Sequence, residues 1–430
     1  MTADRPDGDG RLARRLGVVD AVVIGLGAMV GAGVFAAIGP AAAEAGAGML
    51  VGLAIAALVA YANATSSAQL AAAMPLAGGT YAYGRERLGP LWGFVAGWGF
   101  VIGKTASLTA MALTFGSYVA PDVARPVGIA AVVAMTTVNY LGIRKTAAVT
   151  TAIVAVVLAT LAAVVAVALL GDAASVERLT PLADRGVLGI LGSAGLLFFA
   201  FAGYARIATL GEEVVDPART IPRAIPLALG IVLVVYAAVA VSALAVLGPG
   251  GLAGSPAPLV DVVRAAGAGG LAPVVRVGAA VASLGVLLSL LAGVSRTAFA
   301  MARDRELPGV LDAVDPVHRG PHRAELLVGA VVIAVVLVAD LRDAIGFSSF
   351  AVLTYYAIAN ASAWTQPPHE RRWSRWLQAV GVVGCATLAF TLPAGSVIAG
   401  FVVLAIGVVG RGIVRRLLGG ERPDGRPGRR

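Results

Sequence analysis

Long apolar runs, broken at intervals by short clusters of Arg, Pro and Gly, set the pattern of this chain. Stretches such as Val149–Leu170 and Ile231–Leu247 run 22 and 17 residues without a charge. As helix, runs of that length cross a hydrocarbon core about 30 Å thick, and helix satisfies every backbone polar group within one segment. Twelve segments fit, with approximate cores 17–38, 49–73, 91–119, 127–141, 148–170, 188–210, 224–247, 273–300, 325–340, 344–365, 376–392 and 394–411. The last two nearly fuse around Pro393. The pattern predicts an all-α integral membrane protein of about twelve transmembrane helices.

Charge orients the spans. Only 13% of residues are charged and 58% are hydrophobic, against about 25% charged in soluble domains. Alternate loops carry the basic residues: Arg85 and Arg87; Arg144 and Lys145; Arg219 and Arg223; Arg303, Arg305, Arg319 and Arg323; Arg371, Arg372 and Arg375. The positive-inside rule puts these loops and both termini in the cytoplasm of a multi-pass cell (plasma) membrane protein. The net charge of +9 therefore meets lipid headgroups rather than nucleic acid. The polar start, with Arg5, Arg11, Arg14 and Arg15, and the long Gly-rich first apolar stretch do not fit a cleavable signal peptide. One cysteine, Cys385, excludes an intrachain disulfide framework. His318, His322 and His369 sit in polar segments without metal-ligand spacing, so neither metal nor cofactor is expected.

Two spans are interrupted by small residues: the first at Gly27-Ala28-Met29-Val30-Gly31-Ala32-Gly33-Val34-Phe35, the sixth at Phe198-Phe199-Ala200-Phe201-Ala202-Gly203-Tyr204-Ala205-Arg206. Glycine is a poor helix former, and unwound backbone at membrane depth is tolerated where it lines a cavity. Interrupted helices at matching places in two five-helix halves point to a substrate site between inverted repeats. The bland alternative is close helix packing through small residues. The expected organisation is a disordered tail (1–16), a first repeat (17–170), a second repeat (188–365), two further helices (376–411) and a basic tail (412–430).

At these residues the chain resembles an amino acid–polyamine–organocation permease. Gly27–Phe35 is similar to the family's first-helix pattern. Met74-Pro75-Leu76-Ala77-Gly78-Gly79-Thr80-Tyr81-Ala82-Tyr83 resembles the loop after helix two. Phe199–Tyr204, with Glu212-Glu213-Val214-Val215-Asp216-Pro217 and Arg219–Ile225, is similar to the sixth helix and its exit. Ser295-Arg296 and Phe299–Asp304, followed by Leu307-Pro308, resemble the end of helix eight. The resemblance implies a five-plus-five inverted repeat with two added helices, alternating access, and transport of amino acids or related amines by proton coupling, sodium coupling or exchange. Carried over by position, the backbone of Ala28, Val30, Gly31, Ala32 and Gly33 would hold the substrate carboxylate. Carbonyls near Phe199, Ala202 and Gly203 would hold its ammonium, and the Phe199 ring would cover it.

The departures carry information. Ala32 stands where the family commonly has Ser or Thr, which removes a hydroxyl from the carboxylate subsite. Val157 falls where proton-linked relatives have a Lys. Lys104 lies in the middle of span three, in a chain with two Lys and thirty-one Arg. Charge there costs about 2.5–3.5 kcal/mol on insertion scales, and intramembrane ionisable residues are functional by default. Lys104 is read as a positive charge beside the substrate, in place of a coupling sodium ion and in favour of proton coupling. Its bland alternative is a static lysine bonded to backbone carbonyls. Arg206 either reaches the cavity or pairs with Glu212 or Glu213, and Glu212, Glu213 and Arg296 are candidate gating residues. Two cations near the cavity favour neutral or acidic substrates.

Other classes fit less well. A membrane-embedded enzyme, such as a lipid-modifying one, would need acidic, His or Cys clusters at membrane depth, whereas the acidic residues fall in loops or at span ends. The sequence has no P-loop for ATP-driven pumping, and no span has the repeated polar stripe of a channel. Uptake, export and exchange remain as modes of transport.

Overall fold

The computed structural model describes residues 16–31, 33–74, 78–142, 147–208, 213–315 and 320–418. Each of the twelve predicted segments is helical. The first is two helices, α1 (Val18–Met29) and α2 (Gly33–Ala45). Then come α3 (Met49–Ala73), a short α4 (Thr80–Leu88), α5 (Pro90–Val119), α6 (Ala124–Tyr140) and α7 (Ala147–Leu170). The sixth span is again split, into α8 (Gly186–Phe201) and a single turn, α9 (Ala205–Ala208). α10 (Pro217–Gly254) is kinked at Gly248, where φ is 67° beside Pro249, and a short α11 (Pro258–Ala265) follows. The chain ends in α12 (Ala272–Arg303), α13 (His322–Val338), α14 (Leu341–Trp364), α15 (Arg375–Phe390) and α16 (Ala394–Leu418).

Seven helical stretches among the described residues are long and apolar enough to cross a membrane, and three shorter apolar helices (α1, α8 and α15) accompany them. The protein is a multi-pass all-helical membrane protein. Five of the twelve segments are not among the seven: α2 runs on into α3 as one stretch, and α13 and α15 have 17 and 16 residues. The breaks shorten the first and sixth spans, and α5 spends its middle on Lys104, Thr105, Ser107, Thr109 and Thr114, all buried. A helix so polar at its centre belongs inside the bundle, and α5 packs on α4, α6, α12 and α14. α16 is the opposite case, with Ile398, Phe401, Ile406 and Val409 outward and exposed. Two helices lie outside the twelve predicted segments: α4, which starts after the positive-φ pair Gly78-Gly79, and the amphipathic α11.

The neighbour relations have a recurring form. α1 lies against α10 and α7, and α8 against α3 and α14. α5 packs on α6 and α14, as α12 packs on α13 and α7. α2 crosses α8 at the centre, close enough that a Cβ on Gly33 would stand 2.8 Å from Ala200 Cα.

Candidate functional site

Each broken helix exposes backbone where it unwinds. α1 ends at Met29 and α2 resumes at Gly33; α8 ends at Phe201 and the chain turns through Ala202, Gly203 and Tyr204. The breaks face each other: a Cβ on Gly203 would collide with the Ala28 carbonyl group. Only glycine lets the two segments approach this closely.

A cavity of about 780 Å3 opens beside them. Its deep wall is formed by Gly31 and Gly33 of the first break, Phe199, Ala200, Ala202 and Gly203 of the second, Lys104, Ser107 and Met111 of α5, and Val286, Ser289 and Leu290 of α12. Its mouth is lined by Arg85, Glu86, Arg206, Arg303 and Asp304, all exposed, with Glu213 and Arg296 nearby. The cavity thus opens on the face that carries the Arg-rich loops.

Most residues singled out in the sequence meet here. Ala28, Gly31, Gly33, Phe199, Ala202, Gly203, Lys104, Arg206, Glu213 and Arg296 all line this one cavity. Val30 is buried beside it, 1% exposed, and is not part of the lining. Ala32 and Glu212 lie outside the described residues, as do residues 1–15 and 419–430 of the tails.

Lys104 is 7% exposed, and its Nζ donates to the Ala202 carbonyl at 3.3 Å. The same oxygen accepts from the Tyr356 hydroxyl at 3.1 Å. The Tyr236 hydroxyl of α10 lies between Met29 O and Ala200 O, 3.0 Å from the latter, and its one proton is shared between the two broken helices. Beside Lys104, the hydroxyls of Ser107 and Ser348 lie 2.7 Å apart. Carbonyls released from helix pairing are thus met by side-chain donors, as buried polar groups require. Sequence reading passed over Tyr236 and Tyr356. The available signal was a lone phenol among aliphatic residues in span seven and the Tyr355-Tyr356 pair in span ten.

At the mouth, Asp304 at the end of α12 accepts from Tyr81 at 2.5 Å and from Arg85 at 2.7 Å, both on α4. Burial, and then the bond to Asp304, hold the Tyr81 phenol above its ordinary pKa, so it stays a donor at neutral pH. The chain before α1 is tied to the segment after α9, Leu16 N donating to Glu213 O at 3.1 Å and Val215 N to Leu16 O at 2.9 Å. At the opposite end the bundle is closed. Phe35 and Tyr118 meet edge to face at 5.6 Å, and Leu259 N of α11 donates to the Tyr118 hydroxyl at 3.4 Å. Glu44 of α2 pairs there with Arg342 of α14.

Residues 16–413 match the family model described as amino acid permease. A Mycobacterium tuberculosis protein described as an uncharacterized transporter is 62% identical over 415 residues, covering 96% of this chain and 93% of its own length. The branched-chain amino acid permease BcaP of Bacillus subtilis is 26% identical over 346 residues, covering 75% of this chain and 74% of its own. The methylthioribose transporter of the same species is 24% identical over 374 residues, covering 81% and 80%. With a family match over nearly its whole length and an all-helical bundle around one central cavity, the chain belongs to the amino acid permease family of the amino acid–polyamine–organocation superfamily.

Proposed function

We propose that the protein is a secondary transporter that carries amino acids, neutral or acidic rather than cationic, through the cavity between its broken helices by alternating access. The observation that carries this reading is the single cavity lined by both breaks, with a buried lysine at its deep wall. The start of α2 offers free backbone N–H groups and the positive end of a helix dipole to a carboxylate. Met111, Val286, Leu290 and Phe199 give the wall an apolar character suited to an uncharged side chain. The acidic lining residues Glu86, Glu213 and Asp304 stand toward the mouth, away from Lys104. A cationic side chain would meet a like charge without compensation.

A fixed or titratable charge at Lys104 takes the place of a coupling sodium ion, which favours sodium independence or, if it titrates, proton coupling. The recurring neighbour relations support two inverted five-helix repeats, α1–α7 and α8–α14, with α15 and α16 added. In that arrangement the Arg-bearing mouth is cytoplasmic, in the plasma membrane, and Glu213, Arg296 and Arg206 gate it. Purified protein in proteoliposomes, given a labelled amino acid panel under separately imposed proton and sodium gradients, tests the proposal. The expected result is uptake of neutral amino acids that follows the proton gradient and ignores sodium. Uptake driven by sodium overturns the coupling, and the absence of uptake or exchange for every amino acid overturns the substrate class.

A further inference from the structure

We infer that Lys104 is a specificity residue whose ammonium occupies the place an amino acid's own ammonium would take, so that substrate binding must displace it. The inference rests on the reading of the cavity as an amino acid site. It begins with the carbonyls. Ala202 O sits at the C-terminal end of α8, where the helix dipole is negative and cations are favoured. A carbonyl oxygen has two lone pairs. Both are used here, by Lys104 Nζ at 3.3 Å and the Tyr356 hydroxyl at 3.1 Å. The neighbouring carbonyls Ala200 O and Met29 O share the single Tyr236 hydroxyl. Of the acidic lining residues, Asp304 pairs with Arg85 and Glu213 faces Arg206.

An incoming ammonium therefore finds the most electronegative point of the deep wall already filled by a tethered one. Two ammonium groups cannot share Ala202 O, both because its lone pairs are taken and because like charges repel in a site of low polarity. Tyr356 is held by a rigid ring stacked among Tyr204, Tyr355 and Phe198. Lysine instead hangs on a flexible four-carbon stem with rotatable donors. Lys104 is the donor that yields. A carboxylic acid without an amine makes no such demand and binds with Lys104 in place.

The probes are L-leucine and its amine-free counterpart 2-hydroxy-4-methylpentanoate, with binding to the purified full chain measured by ligand-induced thermal stabilisation and radioligand competition. If a panel finds a tighter amino acid, that one and its own hydroxy acid replace them. Lys104→Met removes the competitor, and Lys104→Gln does so with a polar side chain should the first fail to fold. The expected result in both variants is that the affinity ratio of amino acid to hydroxy acid rises by about tenfold or more, since a like-charge contact is lost for one probe alone. A merely structural lysine would weaken both probes together and leave the ratio unchanged, which overturns the inference. If the hydroxy acid binds to the wild type and no amino acid binds to either variant, the inference and the amino acid reading both fall. A ratio that rises while transport is lost still supports it, because binding and not turnover is the readout.

Discussion

Tyr236 joins two interruptions that lie more than 160 residues apart in sequence, its one hydroxyl proton shared between Met29 O and Ala200 O. Tyr236→Phe keeps the ring and its packing on Phe201 but leaves two buried carbonyls without this donor. The expected cost is about 1–3 kcal/mol of stability, seen as a lower unfolding temperature in detergent, together with impaired transport. Gly203→Ala is the sharper test, since its Cβ would collide with the Ala28 carbonyl group. A variant that folds but does not transport is expected, and wild-type uptake would contradict the close approach of the breaks. The glycines were legible in the sequence because their cost to a helix announces a break. The phenols were not. A tyrosine in an apolar span reads equally as lipid-facing or buried, and only the fold decides which carbonyl it reaches.

At the scale of helices, the closed end rests on two independent contacts. α11 covers it through Leu259 N and Tyr118, and α2 is tied to α14 through Glu44 and Arg342. Glycines at positions 189 and 192 of α8 leave room for Glu44, whose Cγ would be 3.0 Å from a Cβ on Gly192. The pair thus meets at the junction of both broken spans and α14. It is partly exposed, so it is worth about 1 kcal/mol or less. Removing it in Glu44→Gln is expected to raise opening on that side by up to about fivefold. A cysteine placed at Ser107, with Cys385 replaced by Ala, would report this as faster labelling by an impermeant maleimide applied from the closed side. An unchanged rate would mean that α11 alone holds the end shut. None of this was legible beforehand. Glu44 and Arg342 are 298 positions apart, and each looks like an ordinary charge at the end of a span. α11 was missed because eight residues carry too little periodicity to stand out from a loop.

For the whole molecule, hydropathy located the long apolar helices to within about seven residues, because lipid leaves the backbone no alternative to helix. Hydropathy is silent on which helices lie at the centre. The buried seam between α3, α14 and α15 illustrates this. Asn360 donates to Asn63 at 2.6 Å, Ser66 donates to Asn360 at 2.7 Å, and the Cys385 thiol donates to Asn63 at 3.3 Å. These residues are scattered singly through apolar runs, and only packing makes them a network. Interhelical hydrogen bonds in membranes average about 0.6 kcal/mol, so Asn360→Leu is expected to destabilise the bundle measurably without altering the cavity. Unchanged unfolding with altered substrate binding would show that the seam reaches the site.

Glu306 follows α12 on the face where the cavity opens, and its side chain is 1% exposed. Arg411 engages both of its carboxylate oxygens, at 2.5 and 3.0 Å, and Arg415 donates to one at 2.9 Å. Both partners belong to the final helix, and Arg411 also lies over the Phe94 ring of α5. Arg411→Ala leaves only the half-exposed Arg415 on this buried carboxylate, so it is expected to cost up to about 3 kcal/mol. Adding Glu306→Gln should recover part of that, because the two sites are coupled; thermal unfolding of the single and double variants would measure it. The consequence reaches into biogenesis. While the chain is being made, Glu306 is added more than a hundred residues before Arg411 and Arg415. Until the last helix is delivered, its carboxylate lacks these two partners. A truncation before Arg411 would leave it so.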